Sequence, residues 1–372
     1  MDVLSLYLRT LAQCDPERLM RECLNPSPSP NPSPSPSPND EQKSRARARA
    51  RARAGDVPRN VVAIGKCAGP LLDGFGEFDA AFVAMPEGYC APRPAPRALI
   101  YKGGHPDMTP ASFAAGRALI EFVDAHEDVT FLVSGGGSAC VEVPLPPHTE
   151  EELIAKNREL VASGLPIGEM NRVRRTLSAI KGGRLGGRVK GRCVTFVYSD
   201  VSTGKLEDVA SGPSLRDLRL IADNTTLVRT AARIAREQGM SPDVIDEQIE
   251  TDVEEASRFL AAQKHDLVIA GGEPTVVVRG NGRGGRCSEL AVRFALHCDE
   301  RVQALFASSD GVDGNSGAAG WVLRLPATFD RAAAERALAQ SDSATAAATL
   351  GERIMIPSAG NNLRDLYILA RG

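Results

Sequence analysis

The chain has few aromatic residues, few histidines and almost no net charge. Phe, Tyr and Trp make up 5% of its 372 residues, with a single tryptophan, and the formal net charge is −3. Domains that bind nucleic acids usually carry a marked excess of basic residues, and those that hold single strands add aromatic side chains that stack on bases. We therefore expect no nucleic-acid partner.

The chain also lacks paired cysteines and long apolar runs. Its eight cysteines are scattered, without the Cys-x-x-Cys spacing of zinc sites or the density of small secreted domains. No apolar run approaches the roughly 20 residues of a membrane span, and the first residues lack the basic and small-residue features of a signal peptide. These absences predict free thiols, no membrane partner and a cytoplasmic location.

One segment differs in composition from the rest. Residues 25–39 alternate Pro and Ser, and residues 44–54 alternate Arg and Ala. Such repeats favour extended, solvated backbone and cannot bury apolar surface. Residues 25–56 are therefore predicted to be a low-complexity, disordered linker or insertion. The alternative, an arm that binds nucleic acid or membrane, is weaker because the Arg-Ala tract is short and has no aromatic residues.

Short β-branched runs alternate with amphipathic helical stretches through the rest of the chain. This alternation is typical of a parallel, doubly wound sheet, and a second unit starts near Asp266. The predicted domains are residues 1–260 and 265–372. Strands are predicted in the first domain at residues 61–64, 80–84, 98–101, 129–133 and 194–198, and in the second at residues 267–270, 275–279, 304–308 and 354–356.

The most informative loop is the glycine run between Ser134 and Ser138, which directly follows a predicted strand. Glycines let the backbone approach a ligand closely, and successive free N–H groups at the start of a helix form a concave anion site. For this loop alone, a tight strand-to-helix turn without a ligand is the alternative. Similar loops elsewhere in the chain favour phosphate binding.

Several cations follow predicted strands or glycines. Lys66 stands at the end of a strand, where α/β proteins bind ligands. The motif is not a Walker A sequence, because Cys67 stands where Ser or Thr is required. Residues 171–188 carry six cations and no acid, with Lys181 and Arg184 on either side of a Gly-Gly turn. A surface lysine and a solvated helix face are the respective alternatives.

Acidic and basic side chains lie at three further strand or helix ends. Asp200 and Glu273 follow predicted strands, and Asp200 stands where a Mg²⁺ ligand is expected. Arg286 opens a helix after a glycine-rich loop and suits phosphate oxygens. Asp310 and Asp313 stand three apart in a glycine turn, which suits metal binding or proton abstraction; a plain turn is the alternative for Asp313. Together these features predict phosphoryl transfer, which depends mainly on positioning and charge neutralisation.

As a set, these loops resemble the glycerate 2-kinases of the MOFRL family (glycerate kinase type 2), over nearly the whole chain outside the linker. The order and number of the matching segments make the resemblance specific. They are AIGKCAG (residues 63–69), GGHPDMTPAS (103–112), SGGGSA (134–139), NRVRRTLSAIKGGRL (171–185), SDV (199–201), ASGP (210–213), GGEPTVVVRGNGRGGR (271–286) and SSDGVDG (308–314).

The resemblance implies an ATP-dependent kinase that phosphorylates D-glycerate at its 2-hydroxyl with Mg²⁺ or another divalent cation. The implied fold is a two-domain α/β protein. It has a Rossmann-like, three-layer α/β/α N-terminal domain, a smaller C-terminal α/β MOFRL domain and an active site in the cleft between them. Glycerate and ATP are the implied partners of a monomer or homodimer.

The resemblance also implies roles for particular residues. Lys66, Arg286 and an acid of the SSDGVDG loop are the implied catalytic residues, and we choose Asp310 over Asp313 because it directly follows a strand. The implied metal ligands are Asp200 and Asp313. The implied ATP contacts are Ser134, Gly135, Gly136, Gly137, Ser138, Lys181, Arg184, Glu273, Gly284 and Gly285.

Two other functions stay open at this point. A hydroxypyruvate reductase-type oxidoreductase would share the α/β architecture, but the loop at residues 282–287 misses the dinucleotide fingerprint because Cys287 replaces its last glycine. A non-catalytic ligand-binding relative is the other alternative. It rests on residues 202–205, where the family usually has a Gly-Asp pair and this chain reads STGK.

Overall fold

The computed structural model describes residues 2–25, 57–163, 167–202, 204–357 and 360–371. The predicted linker lies outside the described residues, apart from its first residue. The chain divides into two compact units, which we call the parallel-sheet unit (residues 16–223) and the mixed-sheet unit (residues 1–15 and 224–372). The mixed-sheet unit therefore includes the first helix of the chain, α1 (Val3–Gln13). The domain boundaries predicted at residues 260 and 265 stay predictions.

The parallel-sheet unit alternates strands with helices, as the hydrophobic pattern predicts. Its elements are α2 (Pro16–Leu24), β1 (Asn60–Ile64), α3 (Ala68–Phe75), β2 (Ala80–Pro86), β3 (Ala98–Gly103), α4 (Pro110–Ala125), β4 (Val129–Ser134), α5 (Gly137–Cys140), α6 (Glu150–Ala162), α7 (Ile167–Leu177), α8 (Arg184–Arg188), β5 (Cys193–Tyr198), a 3-10 segment (Leu206–Ser211) and β6 (Leu218–Ala222). Helix α6 begins at a capping box, in which the Glu152 N–H donates to Thr149 Oγ1 at 3.2 Å and the Thr149 N–H donates to the Glu152 carboxylate at 3.0 Å.

The six strands of this unit are all parallel and lie in the order β3-β2-β1-β4-β5-β6. The prediction of a parallel, doubly wound sheet is thus confirmed, and the five strands predicted for the first domain are β1 to β5. The strand order reverses between β1 and β4. In open α/β sheets such a switch point leaves a crevice outside the carboxyl ends of the two strands, and ligands bind there.

The strands are apolar on both faces because helices cover both faces. Val62 and Ile64 of β1 pack in one cluster with Leu119 and Phe122 of α4. The alternate residue Ala63 is also fully buried, and α3 packs against β1, β2 and β4. A parallel sheet buried in this way gives near-continuous apolar runs rather than alternating ones, which is why β1 and β4 could be predicted.

The mixed-sheet unit has a different topology. Besides α1, its elements are α9 (Asn224–Glu237), β7 (Asp243–Val244), α10 (Val253–Ala262), β8 (Leu267–Gly272), α11 (Arg286–His297), β9 (Val302–Ser308), β10 (Gly320–Leu325), α12 (Arg331–Ala339), α13 (Ser343–Leu350), β11 (Gly351–Ile354) and β12 (Asp365–Arg371). The strand order is β11-β10-β9-β12-β8-β7. All neighbours are antiparallel except β7 and β8. Side chains of α10 to α13 form the main core cluster with one face of the sheet.

Two strand predictions in this unit need correction. Residues 275–279 do not form a strand: only Thr275 makes an isolated bridge, to Asp252. Val277 and Val278 are 60% and 76% exposed. Val276 packs against the core cluster of the unit, but the β-branched run pairs with no strand among the described residues. The strand predicted at residues 354–356 lies earlier, at β11. Strands β10 and β12 were not predicted.

Two further sequence expectations can be compared with the structure. No helix among the described residues is both long enough and apolar enough to cross a membrane. All eight cysteines are free thiols.

Candidate functional site

Two glycine-rich loops meet at the switch point of the parallel sheet. They follow β1 and β4, and backbone hydrogen bonds join them: the Lys66 N–H donates to the Gly135 carbonyl at 2.8 Å. The Cys67 N–H donates to Ser134 Oγ at 3.0 Å, and that hydroxyl donates to the Ile64 carbonyl at 3.2 Å. These bonds fix the backbone of Lys66 at the point where the strand order predicts a ligand crevice.

Two positions in these loops require glycine. Gly65 has φ of +111°, and a Cβ atom there would lie 2.3 Å from the Ser134 carbonyl oxygen. Gly136 has φ of +79°, and a Cβ atom there would lie 2.9 Å from Cγ of Lys66. The glycine run therefore packs directly against the stem of Lys66. The Lys66 ammonium lies 5.6 Å from the centre of the Tyr89 ring, within the range of a cation–π contact.

A chain of side chains extends from Ser138 of the same loop. Ser138 Oγ and Ser211 Oγ lie 2.7 Å apart, and Ser211 Oγ donates to Asn171 Oδ1 at 2.8 Å. Because Ser211 gives its proton to Asn171, Ser138 is the donor of the pair. Ala210 and Ser211 have positive φ values of +50° and +61°, a strained conformation for residues with a Cβ atom. Such strain persists where the surrounding structure imposes it, often at ligand sites.

The two cations predicted to contact ATP in this unit are engaged within the protein. The Lys181 ammonium forms a buried ion pair with Glu142, both side chains being 2% exposed. Burial lowers the pKa of Lys181, and the Glu142 carboxylate opposes that shift. Arg184 donates to the carbonyl oxygens of Ser178 and Lys181 at 3.1 and 3.3 Å. An ATP contact by either cation stays a prediction.

The two predicted metal ligands belong to different units. Asp200 is half-buried and follows β5, whereas Asp313 lies in the mixed-sheet unit. The part of the chain that the structure describes contains no group of three or more His, Cys, Asp or Glu side chains placed to hold a metal ion. Metal binding by Asp200 and Asp313 stays a prediction, and no step below depends on a metal.

In the mixed-sheet unit, candidate residues gather at one edge of the sheet. Asp365, the first residue of β12, is paired with Gly272 of β8 on one side and Ser308 of β9 on the other. Strands β8 and β9 end at the edge where β12 begins. The register therefore brings Glu273, Asp365 and Asp310 to the same edge, although they are far apart in the sequence.

Arg286 is held at this edge by two carboxylates. Its Nε and Nη2 atoms contact the two oxygens of Asp365 at 2.7 and 2.9 Å, and Nη1 lies 2.9 Å from Glu273 Oε1. A guanidinium has five N–H donors, so these three contacts leave two for a ligand. Tyr367 donates to Asp365 Oδ2 at 3.1 Å.

Asp365 is a functional candidate that the sequence analysis missed. Its side chain is completely buried, and burial raises the pKa of Asp365 to about 6 although the Arg286 guanidinium opposes the shift. The sequence offered one signal, the apolar run that follows it at residues 366–370, which marks a strand but does not identify its partners.

Glu273 links two arginines rather than standing free at the strand end. Its second oxygen lies 3.1 Å from Nε of Arg364, which also pairs with Glu250. The side chains of Arg286 and Arg364 are thus held in a line of alternating charges. A contact from Glu273 to ATP stays a prediction.

Asp310 and Asp313 have clearly different surroundings. Asp313 accepts hydrogen bonds from the N–H groups of Cys287 at 2.9 Å and Ser288 at 3.0 Å, so it caps the first turn of α11. Asp310 accepts from Ser308 Oγ at 2.7 Å and from the Val312 N–H at 3.0 Å, both through Oδ1.

The predicted ATP contacts Gly284 and Gly285 use their amides within the unit. The Gly284 N–H donates to Asn315 Oδ1 at 2.6 Å, and the Gly285 N–H donates to Ser288 Oγ at 2.8 Å. Their binding role also stays a prediction.

Comparison with known families agrees with this architecture, a two-unit α/β protein with polar loops at the strand ends. Residues 2–248 match the family described as "Domain of unknown function (DUF4147)", and residues 266–365 match the MOFRL family. The first match alone spans more than half of the chain. The chain therefore belongs to the family whose members join a DUF4147 domain to a MOFRL domain.

Individual relatives are similar over most of their length. A protein from Thermotoga maritima named D-glycerate 2-kinase is 31% identical over 329 residues, which cover 72% of this chain and 79% of that protein. A protein from Agrobacterium vitis, named as a hydroxypyruvate reductase, is 28% identical over 344 residues, covering 75% of this chain and 78% of that protein. A crystal structure of glycerate kinase from T. maritima matches with a TM-score of 0.79 and 25% identity, covering 100% of this chain and 98% of that one.

Proposed function

We propose that this protein is a glycerate kinase that transfers the γ-phosphoryl group of ATP to the 2-hydroxyl of D-glycerate. The names of the two T. maritima relatives support the substrate and the type of transfer, and that of the closer sequence relative supports position 2. The observation that carries the proposal is the fixed position of Lys66. The Lys66 amide is bound to Gly135 and the Lys66 stem packs on Gly136, at the switch point of the sheet.

Lys66 and Arg286 would stabilise the charge on the transferring phosphoryl group. The charge of Arg286 is already balanced by Asp365 and Glu273, so its contribution is two well-oriented N–H donors rather than net positive charge. The Lys66 ammonium lies 5.6 Å from the centre of the Tyr89 ring. We infer that Lys66 brings its positive charge to the phosphoryl group, and preorganised charge of this kind is a major source of rate enhancement.

Asp310 would act as the general base. In this step the 2-hydroxyl oxygen of glycerate attacks the γ-phosphorus of ATP and the bond from phosphorus to the ADP oxygen breaks, while the hydroxyl proton moves to the Asp310 carboxylate. A base must lie within hydrogen-bond reach of that proton. We choose Asp310 because both carboxylate oxygens of Asp313 already accept hydrogen bonds from N–H groups of α11.

The test is a direct assay of the purified chain. ATP and each enantiomer of glycerate are incubated with Mg²⁺ as the added cation, ADP formation is followed, and the product is identified by phosphorus NMR. We expect 2-phosphoglycerate from the D-enantiomer. A 3-phosphoglycerate product would contradict the position of transfer, and the absence of ADP formation with both enantiomers would contradict the kinase proposal.

A reductase is the second candidate, favoured only by the name of the A. vitis relative. It is tested by NADH oxidation with hydroxypyruvate on the same preparation, where we expect no turnover above background. The cytoplasmic location, the Mg²⁺ requirement and the choice between monomer and homodimer stay predictions.

A further inference from the structure

The mixed-sheet unit contains a groove at the edge of its sheet where β11 lies. Its volume is about 480 Å³, a size typical of small-molecule sites. The residues that line it are Arg283, Ser316, Trp321, Ala344, Thr345, Ala348, Gly351 and Arg353. Strands β10 and β11 border the groove, whereas Arg286 binds Asp365 on β12. Because β9 separates β10 from β12, roughly 10 Å of sheet lies between the two sites.

Three elements place the lining residues. Trp321 and Arg353 are directly paired across β10 and β11, so their side chains stand on the same face of the sheet. Helix α13 contributes Ala344 and Ala348, which are four residues apart and therefore share one helical face. The backbone of Arg283 is fixed to the start of α13, because the Ala344 N–H donates to the Arg283 carbonyl at 2.9 Å.

The groove is lined by two arginines and no acid. Arg283 donates to the Ser316 carbonyl at 3.3 Å, and among the described residues neither Arg283 nor Arg353 has a recorded carboxylate partner. The nearby acid Asp342 is engaged elsewhere: its Oδ1 accepts the Arg283 backbone N–H and the Thr345 hydroxyl, both at 3.0 Å. The two guanidinium charges at this groove are therefore uncompensated within the described chain.

Trp321 supplies an apolar wall and one incomplete hydrogen bond. It is 2% exposed, and its indole N–H is buried without an acceptor in the described structure. A buried donor without a partner is rare in folded proteins and often marks a missing polar group. The two arginines beside this wall suit an anionic acceptor.

We propose that this groove binds a small organic anion. A carboxylate or phosphate group would lie between Arg283 and Arg353, and an apolar part would pack against Trp321, Ala344 and Ala348. Guanidinium groups hold such anions by paired, charge-assisted hydrogen bonds. The groove is not lined by Lys66, Arg286 or Asp310, although its Arg283 directly precedes Gly284 and Gly285.

The single tryptophan of the chain makes the proposal directly testable, because Trp321 reports on its own groove. Tryptophan fluorescence is followed while phenyl phosphate is added, with inorganic phosphate and benzyl alcohol as probes that carry only the anionic or only the apolar part. We expect a saturable change with phenyl phosphate, a weaker one with inorganic phosphate and none with benzyl alcohol. No saturable change with either phosphate compound would overturn the proposal.

Matched variants separate this site from the catalytic residues. Arg353→Gln should weaken phenyl phosphate binding at least tenfold. Arg324→Gln, an exposed arginine on the opposite face of β10, should change it less than twofold. Ala348→Phe should abolish the response by filling the groove. Thermal melts confirm that each variant is folded.

The result must also be distinguished from failure of the proposed kinase function. Lys66→Ala should keep the fluorescence response while losing turnover, and Arg353→Gln should keep turnover while losing the response. If the response disappears in Lys66→Ala, or is unchanged in both Arg353→Gln and Ala348→Phe, Trp321 is reporting on another site and the inference is wrong.

Discussion

Asp310 and Asp313 lie in one loop, and a matched pair of substitutions separates their roles. Asp313 is 2% exposed and caps α11, the helix whose first residue is Arg286. Asp310 accepts hydrogen bonds from the Ser308 hydroxyl and the Val312 N–H, both through Oδ1. We predict that substitution of Asp313 costs mainly stability, whereas Asp310→Asn costs mainly turnover.

The magnitudes follow from what each change removes. Asp313→Ala leaves the N–H groups of Cys287 and Ser288 without acceptors, and each unsatisfied buried donor costs about 1–3 kcal/mol. Burial raises the pKa of Asp313, which shows that the carboxylate is itself costly to bury and offsets part of the loss. We therefore expect a net loss of about 3 kcal/mol, or roughly 4 °C in melting temperature for a chain of this size. Asp310→Asn keeps an acceptor for Val312 and should cost less than about 1 kcal/mol, but turnover should fall by about a hundredfold or more.

The assay compares thermal melts with ADP formation at 25 °C. Asp330→Asn is the matched control, because Asp330 caps α12 through the Ala333 N–H at 2.9 Å and lies in none of the candidate loops. It should lose a little stability and no turnover. A fully active Asp310→Asn protein would exclude Asp310 as the base. An inactive Asp313→Asn protein with a normal melting temperature would assign the catalytic role to Asp313 instead.

Three further predictions concern other parts of the chain. Lys66→Ala should lower kcat by about a hundredfold or more, whereas Lys156→Ala, at a half-buried lysine on α6, should not; equal activity of the two variants would exclude Lys66. Because burial raises the pKa of Asp365 to about 6, activity should fall below about pH 6 as one of the two carboxylates that hold Arg286 loses its charge, and Asp365→Asn should flatten this acidic limb of the pH–rate profile. The same raised pKa means that the folded chain keeps a proton between about pH 4 and 6 that the unfolded chain releases. This carboxyl group's contribution to the free energy of unfolding therefore decreases as the pH rises through that range, as urea unfolding at several pH values would show. Replacing residues 26–56 by a short Gly-Ser linker should leave turnover and melting temperature unchanged, and a large loss of activity would mean that the tract takes part in function.

The strands of the parallel-sheet unit could be predicted well because each one is indicated by a continuous segment of the sequence. Most strands are short apolar runs followed by a helix, and a glycine loop marks the end of β1 and of β4. Both faces of the sheet are covered at the inner strands, so β2, β1, β4 and β5 are buried at nearly every position and read as apolar runs. The family resemblance rests on the same loops. The strand order, which places Lys66 beside Gly135, became visible only in the structure.

The mixed-sheet unit was harder because its pairing is not local. The run at residues 275–279 has the β-branched composition of a strand, yet no strand in the described part of the chain pairs with Val277 or Val278. Conversely, β12 was missed although it is the central strand of the unit. The composition of a segment shows whether it can form a strand, but a strand also needs a neighbouring strand to pair with. The two strands that pair with β12 lie almost 60 and almost 100 residues earlier in the chain.

This non-local pairing explains why Asp365 escaped the sequence analysis while Arg286 did not. Arg286 stands in a recognisable glycine-rich motif, but its orientation depends on an acid at the start of the last strand. The N-terminus contributes as well, since Tyr7 of α1 donates to the Ser308 carbonyl at 2.6 Å, at the end of β9. The candidate site of this unit is thus built by both ends of the chain. A sequence motif identifies reactive side chains in the loops, such as Arg286. The residues that orient these loops and side chains, such as Asp365 and Tyr7, are brought to them only by the fold.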